Sequence, residues 1–408
     1  MAKRKKEWNI SMIEKQYKIT IPLVAFIFDP RTKETEWTVD HLKEELGQEK
    51  IFHLTLSPNQ FTAEEIATWV FDGVYRTIFK SIKRQNIRVI FRTMHEMNGW
   101  RYPRSSNPDA FKAAWSHIWD ISREEGLDQH NILFDFSVNH WDMPTKGYPS
   151  QQAKLITCTP ASKKRKKCFN FEDYYPWDDL VDVVGVSFYN RGKATSGRHR
   201  LTPNEIMNSK MWKTLARLET LGKPIIIDEV GTTSVTYTGA YNPLLSSKVY
   251  AQESDRKNIW LVQLKNFLLA HPLIFGVVYF NVDYTAWLQN PTVGEADRSA
   301  INLETNKFYD GVLDLFEYSE NNLYKNSLLS CFDTIALEHQ GRFVYARRRH
   351  GSTLMNIIQG IKSPSFQSGI FLTAITQAQK KLSAETSFPA ETKKELTELL
   401  QKTKEFRE

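Results

Sequence analysis

Short apolar runs alternate with longer amphipathic segments along most of this chain. The runs are rich in β-branched and aromatic residues, and the segments between them carry apolar residues at helical spacing. Such alternation is typical of βαβ units, which build a parallel sheet covered on both faces. The predicted strands are residues 19–28, 51–56, 89–94, 131–138, 181–188, 224–227 and 275–280. The predicted helices include residues 63–83, 108–125, 203–221 and 252–270.

Two features favour a barrel over a doubly wound open sheet. No Gly-x-Gly-x-x-Gly or Walker-type glycine loop follows a predicted strand, so a nucleotide-binding open sheet is unsupported. Polar and aromatic groups follow one strand after another, as they do in barrels that build an active site from several strand tips. These groups are His95-Glu96, Asn139-His140-Trp141, Tyr189-Asn190, Asp228-Glu229 and Asn281-Val282-Asp283. We therefore predict an α/β fold, a (β/α)8 TIM barrel.

The sequence gives no clear signal for the first strand of the predicted barrel. Seven strands are clear, and the missing one should be the first, because little sequence precedes Ile19. Either residues 7–18 supply a poor strand or the barrel is incomplete at its start. With 408 residues, the chain has room for one large domain and an appendage. We predict a basic N-terminal segment (1–18), a barrel (19–323) and a helical C-terminal appendage (324–408).

Charge and hydropathy exclude several other classes of protein. The net charge of +7, from 54 basic and 47 acidic residues, favours solubility and does not indicate a nucleic-acid partner. The densest basic run, residues 163–167, is expected to be a solvated loop, with contact to a polyanion such as nucleic acid, teichoic acid or anionic lipid as the alternative. No apolar run is long enough for a transmembrane segment, and no apolar signal-peptide core follows the basic start. As written, the chain is expected in the cytoplasm; an extracellular or particle-associated location would need another route.

Two glutamates at predicted strand ends carry the chemistry. Glu96 follows the strand 89–94, and Glu229 ends a strongly β-forming run before a glycine. Two such carboxylates suit glycoside hydrolysis, in which one protonates the leaving oxygen and the other attacks the sugar carbon. Arg92 and His95 are expected to keep the two glutamates in different protonation states. Because side chains alternate along a strand, we expect Asp228 and Glu229 to face opposite sides.

Metal and nucleophile motifs are missing from the sequence. The zinc signature His-Glu-x-x-His would need a second histidine at the position of Gly99. No Gly-x-Ser-x-Gly nucleophile motif occurs. We therefore predict no metal and no cofactor.

The segment His95 to Gly99, which reads His-Glu-Met-Asn-Gly and follows Arg92, resembles glycoside hydrolase family 26, the family of β-mannanases and related β-glycanases. Further ordered motifs support the resemblance, which covers about residues 20–310. They are Ala113-Ala114-Trp115, Tyr174-Tyr175-Pro176-Trp177-Asp178-Asp179, Val181 to Val186 and Lys223 to Gly231. The resemblance implies a TIM barrel and a retaining glycoside hydrolase that acts on β-linked polysaccharide or oligosaccharide. It points first to β-mannan, with β-glucan and xylan as other substrates.

The resemblance also implies roles for individual residues. Glu96 corresponds to the acid/base and Glu229 to the nucleophile, with Tyr189 as the tyrosine that orients it. The residues predicted to bind substrate are Arg92, His95, Asn98, Trp100, Tyr102, Trp141, Tyr189 and Trp287. Trp141 and Trp287 come just past strand ends and suit either packing or sugar stacking.

Two departures from the family pattern leave the sugar open. The stretch Trp100-Arg101-Tyr102-Pro103-Arg104 has a basic residue where the family often has tryptophan, and Ser187-Phe188 replaces Asp-Gly before the tyrosine. Both changes are expected to touch sugar subsites. The alternative function is a catalytically weak or inactive glycan-binding or structural barrel in a larger assembly, docked to a protein partner through the C-terminal helices. Retention of Glu96, Glu229 and Tyr189 together favours the hydrolase.

Overall fold

A computed structural model provides the fold and describes most of the predicted barrel. The described residues are 10–19, 21–30, 33–46, 50–99, 102–142, 169–190, 201–233, 235–242, 247–252, 254–271, 273–280, 301–302, 307–308, 312 and 315. Trp100, Trp287, the basic run 163–167 and the predicted appendage 324–408 lie outside these residues.

The main sheet contains seven strands. They are β1 (Leu23–Phe28), β2 (Ile51–Leu56), β3 (Arg88–Thr93), β4 (Ile132–Asn139), β5 (Val183–Asn190), β6 (Ile225–Thr232) and, after a hairpin, β9 (Ile274–Tyr279). The strands are parallel and pair in the order β1-β2-β3-β4-β5-β6-β9. Cα atoms of β1 and β9 come within 8 Å of each other, so the sheet curls back toward its own start. The prediction of a parallel α/β barrel is confirmed.

The chain before β1 is helical in its described part. Helix α1 spans Ile10–Tyr17, so the suggestion of a poor strand in residues 7–18 is wrong for this part. Ile13 and Tyr17 are four residues apart, and both pack against the core. That spacing suits one face of a helix. Within the described residues, the barrel therefore begins at β1 and lacks an eighth strand.

Helices lie between the strands. They are α2 (Lys33–Leu46), α3 (Ala63–Ile66), α4 (Asp72–Gln85), α5 (Pro108–Glu124), α6 (Phe171–Tyr174), α7 (Pro203–Met207), α8 (Thr214–Glu219) and α9 (Ser254–Ala270), with short 3-10 turns at Trp69–Phe71, Pro103–Ser106 and Asp178–Leu180. The predicted helices 63–83 and 203–221 are each divided in two. None of the helices in the described residues is long and apolar enough to cross a membrane.

Helix α5 shows how the sequence sets an element boundary. Asn107 caps its start by accepting hydrogen bonds from the backbone N–H groups of Asp109 and Ala110, and Pro108 occupies the first turn. Both choices suit a helix N-terminus, where backbone N–H groups have no partner within the helix. Trp115 is buried on the inner face and donates from Nε1 to the carbonyl oxygen of Leu180, at 2.8 Å.

An antiparallel hairpin follows β6. It consists of β7 (Val235–Asn242) and β8 (Ser247–Gln252), and the sequence prediction missed it. The helix predicted over residues 252–270 therefore begins at Ser254, two residues later than predicted. A short pair, β10 (Ile301–Asn302) and β11 (Lys307–Phe308), is also antiparallel.

The barrel interior is filled in layers. The layer at the amino ends of the strands is apolar and consists of Ile51, Ile90, Leu133, Val183, Ile226 and Phe275. Two residues further along each of β2 to β6, the same inward face carries His53, Arg92, Asp135, Gly185 and Asp228. Layers of this kind are how barrel strands pack their inward side chains. A charged layer thus separates the apolar floor from the carboxyl ends of the strands.

Candidate active site

Arg92 links four strands beneath the carboxyl end of the barrel. Its side chain is fully buried on β3. Nε donates to Ser137 Oγ on β4 at 2.8 Å, and Nη2 donates to Ser187 Oγ on β5 at 2.8 Å. Nη1 donates to Glu229 Oε1 on β6 at 2.5 Å. A guanidinium bound on this many sides is fixed in position, so it presents a permanent positive charge to Glu229.

Glu229 is held through both carboxylate oxygens. Arg92 occupies Oε1, and the Tyr189 hydroxyl donates to Oε2. The Glu229 side chain is 12% exposed, so it is close to solvent yet held in place. The predicted contact between Tyr189 and Glu229 is present. Two donors on one carboxylate fix its orientation, as the attack of a nucleophile requires.

A β-bulge changes which side chains of β6 face the interior. Val186 pairs with Ile227, but the next residue of β5, Ser187, pairs with Glu229, so Asp228 is the extra residue. Bulges put two residues opposite one and turn a side chain toward a new direction. Arg92 consequently lies near both carboxylates, with Nε 3.6 Å from Asp228 Oδ2. The expectation that Asp228 and Glu229 face opposite sides is wrong for this reason.

Glu96 lies on a strained turn just past β3. Both Met94 and Glu96 have positive φ angles, 50° and 53°, in the left-handed region that non-glycine residues rarely adopt. The turn is held by the Glu96 N–H, which donates to the Ser137 carbonyl oxygen at 2.9 Å. Glu96 is only 7% exposed. Strain of this kind costs about 1–3 kcal/mol per residue and clusters at functional sites.

Arg104 supports the same turn from below. It is fully buried, and Nη2 donates to the carbonyl oxygen of His95 at 2.8 Å. Its guanidinium also stacks on the Tyr102 ring, 3.8 Å from the centroid. Burial lowers the pKa of Arg104 to about 10. Arg104, which stands where the family often has tryptophan, therefore stabilises the Glu96 turn. Its buried guanidinium contacts the protein itself in the described residues.

Tyr102 and His95 lie next to the glutamates. Burial, followed by the negative charge of Glu96, raises the pKa of Tyr102, and the charge of Glu229 acts in the same direction. Tyr102 is therefore within electrostatic range of both glutamates and keeps its proton. Burial, with the nearby positive charge of Arg92, lowers the pKa of His95 well below its ordinary value. His95 is therefore neutral, so it adds no positive charge of its own beside the two glutamates.

Asn98 ties neighbouring strand ends together. Its Nδ2 donates to the carbonyl oxygen of Asn139 and to Asp142 Oδ1, each at 2.9 Å, and its Oδ1 accepts from the Asn139 N–H at 2.9 Å. The amide is 2% exposed. Its role in this geometry is to hold the β3 and β4 ends together. Trp141, half-buried just past β4, stacks on His140 with ring centroids 5.2 Å apart.

The charged layer to which Arg92 belongs also contains a cluster of three ionisable side chains. His53 Nε2 is 3.0 Å from Asp228 Oδ1 and 3.3 Å from Asp135 Oδ2, and all three side chains are buried. One ligand atom from each lies within 4.8 Å of the others, a spacing that a metal ion could bridge. A metal there would meet the positive charge of Arg92 beside Asp228. The groups instead satisfy one another as a hydrogen-bonded ion network.

Sequence reasoning did not identify His53 or Asp135 as parts of the site. The signal was available, because His53 and Asp135 are ionisable residues inside otherwise apolar strands. Ser187 was expected to touch a sugar subsite. It is fully buried and accepts from Arg92, so that expectation is wrong: this departure from the family pattern acts on the arginine.

No protein-family model matches the sequence, and no curated protein does. Solved structures similar in fold include the Cellulomonas fimi endo-β-1,4-mannanase double mutant (11% identity, covering 79% of this chain and 68% of that chain, TM-score 0.47). Others are the catalytic domain of the Bacillus sp. JAMB-750 GH26 endo-β-1,4-mannanase (16%, 79% and 78%, TM-score 0.44) and the β-mannanase from a symbiotic protist of the termite Reticulitermes speratus (19%, 54% and 68%, TM-score 0.37). At such identities the likeness concerns the fold alone.

Proposed function

We propose that this protein is a retaining glycoside hydrolase that cleaves β-linked polysaccharide, with Glu229 as the nucleophile and Glu96 as the acid/base. The observation that carries the proposal is the carboxylate of Glu229, which accepts from Arg92 and Tyr189 at the carboxyl end of the barrel. The resemblance of His95 to Gly99 to the family 26 motif supports the same assignment. β-Mannan is the first substrate to test, followed by β-glucan and xylan.

In the first step, Glu229 attacks the anomeric carbon and forms a glycosyl-enzyme ester. Arg92 and Tyr189 fix the direction of the carboxylate, so little reorganisation is needed to reach the attacking geometry. The bond from the anomeric carbon to the leaving oxygen breaks in the same step. Glu96 gives its proton to that oxygen, so the sugar fragment leaves as an alcohol.

In the second step, the roles of the glutamates are reversed. Glu96 accepts a proton from water, which attacks the anomeric carbon and releases Glu229 as a carboxylate. The strained turn ties the backbone of Glu96 to β4 through the Ser137 carbonyl. Tyr102, which stays protonated, is available to donate to a sugar oxygen near both glutamates. His95 Nδ1 is buried and has no hydrogen-bond partner among the described residues.

The test is release of reducing sugar from β-mannan, β-glucan and xylan by the full chain. The variants are Glu229→Gln and Glu96→Gln, which preserve side-chain shape, with Glu219→Gln as the control. Glu219 is an exposed glutamate at the end of α8. We expect activity on at least one glycan. Glu219→Gln should leave this activity unchanged, whereas each of the other substitutions should lower it by about 100-fold or more.

Two outcomes would overturn the proposal. Glycan binding without release of reducing sugar would favour the inactive glycan-binding barrel. Release of reducing sugar by the Glu229→Gln variant would contradict the assignment of Glu229 as the nucleophile. To separate the two glutamates, an aryl glycoside with a good leaving group can be used, since such a substrate needs no proton donor. Glu96→Gln should then still form the glycosyl-enzyme and accumulate it, while Glu229→Gln should not.

A further inference from the structure

Three ionisable side chains of the charged layer, from three different strands, contact one another next to Arg92. His53 on β2 contacts Asp135 on β4 and Asp228 on β6, at 3.3 Å and 3.0 Å. Arg92 on β3 contacts Asp228 and, above it, Glu229. An uninterrupted chain of polar contacts therefore runs from the barrel core to the carboxylate of Glu229.

The number of charges in this space does not balance if every carboxyl is ionised. His53 and Arg92 supply two positive charges, while Asp135, Asp228 and Glu229 would supply three negative ones. The layer is buried, and a third, uncompensated carboxylate would be costly there. Two close carboxylates solve this problem by sharing one proton. The pair that can do so is Asp135 and Asp228.

The geometry around Gly185 brings the other oxygens of the two aspartates together. A Cβ atom placed on Gly185 would lie 1.8 Å from Asp228 Oδ2 and 2.5 Å from Asp135 Oδ1. Both oxygens therefore occupy the space that a side chain would fill. Neither has a hydrogen-bond donor among the described residues. A proton on one of these oxygens would satisfy both.

The surroundings decide which aspartate keeps the proton. Arg92 Nε lies 3.6 Å from Asp228 Oδ2. Burial alone would raise the pKa of Asp228, but the His53 hydrogen bond and the Arg92 charge outweigh it and lower the pKa. Arg92 also faces Asp135, but in the described residues its close ion pairs are with Asp228 and Glu229. Burial, then the Asp228 charge, raises its pKa to about 8.

We propose, on the basis of the function proposed above, that Asp135 holds a proton shared with Asp228, and that this pair and His53 are positioning residues that hold Arg92 against Glu229. Loss of the shared proton adds a negative charge on the floor side of Arg92. The guanidinium, which Ser137 and Ser187 keep in place, is then shared with a further carboxylate, so its interaction with Glu229 weakens and the nucleophile is less firmly oriented. The groups that face Asp135 are His53 from β2, Arg92 from β3 and Asp228 from β6, while β5 contributes only Gly185 and Ser187.

The test compares Asp135→Asn with Asp228→Asn in the full chain. An asparagine at 135 keeps a donor toward Asp228 and copies the protonated acid. An asparagine at 228 removes a charge from Arg92. We expect kcat to fall by about 3-fold for Asp135→Asn and by about 100-fold for Asp228→Asn. The wild type should lose kcat as the pH rises through about 8, and this alkaline loss should disappear in Asp135→Asn.

An infrared titration tests the shared proton without any measurement of activity. The wild type should show the carbonyl band of a protonated carboxylic acid at neutral pH, and the band should fade as the pH rises through about 8. Asp135→Asn should lack this band. If the wild type lacks the band while it hydrolyses glycan, the inference fails and the proposed function stands. If the band is present but no glycan is cleaved, the proton is established and the proposed function fails.

Equal losses of kcat in the two variants would also overturn the positioning role. If either variant fails to fold, the infrared titration of the wild type still decides whether a carboxyl with this pKa exists. A wild-type kcat that stays constant through about pH 8 would contradict the link between the proton and Glu229.

Discussion

At the scale of single residues, the site depends on donors that fix carboxylates. Glu229 accepts from Arg92 and Tyr189, while the backbone around Glu96 is held by Ser137. The sequence predicted roles for Glu96 and Glu229 because they follow or end strongly apolar strands, and the resemblance to a known family implied the role of Tyr189. It could not show what each side chain contacts, since those contacts depend on the register between strands that are distant in sequence.

The Tyr189 hydroxyl should matter for turnover more than for stability. Tyr189→Phe removes one of the two donors to Glu229. A hydrogen bond to a charged group contributes about 1.5–3 kcal/mol. We therefore expect kcat on the hydrolysed glycan to fall by about 10- to 100-fold, with a small change in KM. Steady-state kinetics measure this effect, and urea unfolding should show a change of less than about 1 kcal/mol. An unchanged kcat would show that Tyr189 does not orient the nucleophile.

At the scale of elements, the barrel strands carry two kinds of inward residue. The amino-end layer is apolar and the next layer is charged, with Gly185 leaving room for the aspartates. Side chains two residues apart on a strand face the same side. Applied to the apolar layer, this rule would have predicted the charged layer from the sequence. The bulge at Asp228 was not predictable, because strict alternation is the rule that a bulge breaks. The hairpin β7–β8 was missed because its position after β6 interrupts the expected strand-to-helix order.

Substitution of Gly185 should disrupt the charged layer. In Gly185→Ala the new Cβ would lie 1.8 Å from Asp228 Oδ2, so the aspartates must move. Overpacking and disturbed buried ion pairs each cost a few kcal/mol, and we expect a loss of about 3 kcal/mol in the free energy of unfolding. Gly73→Ala is the matched control, because no atom lies within 4 Å of its new Cβ.

Gly73 lies in helix α4, so its replacement by alanine should be neutral or stabilising by up to about 1 kcal/mol. Denaturant unfolding of the two variants measures both changes in the free energy of unfolding. If Gly185→Ala is as stable as the wild type, the two aspartates do not occupy the space around Gly185.

At the scale of the whole molecule, the buried ionisable groups make stability depend on pH. Hydrogen bonds to Asp135 and Asp228 outweigh burial and raise the pKa of His53 from 6.5 to about 9. The folded state therefore holds a proton that the unfolded state releases. The stabilisation is fully present below pH 6.5 and is lost as the pH rises through about 9. The raised pKa of Asp135 likewise makes the free energy of unfolding fall with rising pH, up to a pH of about 8.

We therefore expect the free energy of unfolding to fall as the pH rises from 6.5 toward about 9. The slope for each proton is at most about 1.4 kcal/mol per pH unit. Urea unfolding at a series of pH values measures this slope. His53→Gln should flatten it, whereas His130→Gln, at an exposed histidine, should leave it unchanged. A wild-type free energy that is constant or rises over this range would contradict the buried protonated network.

The overall fold was the most predictable property of the molecule. Seven strands were placed within a few residues of their observed positions, because continuous apolar runs mark strands buried on both faces. The nature of residues 10–17 was not predictable in the same way. A segment this short suits a strand or a helix equally, and packing against the core decides between them.

The most direct test of the account is the configuration of the first product released from a β-mannan oligosaccharide, followed by proton NMR. Two glutamates that act as nucleophile and acid/base give double displacement, and the product should therefore first appear as the β-anomer and convert to the α-anomer only later. If the α-anomer appears first, Glu229 does not form a covalent intermediate. If no product forms from β-mannan, β-glucan or xylan, the protein is not the hydrolase proposed here.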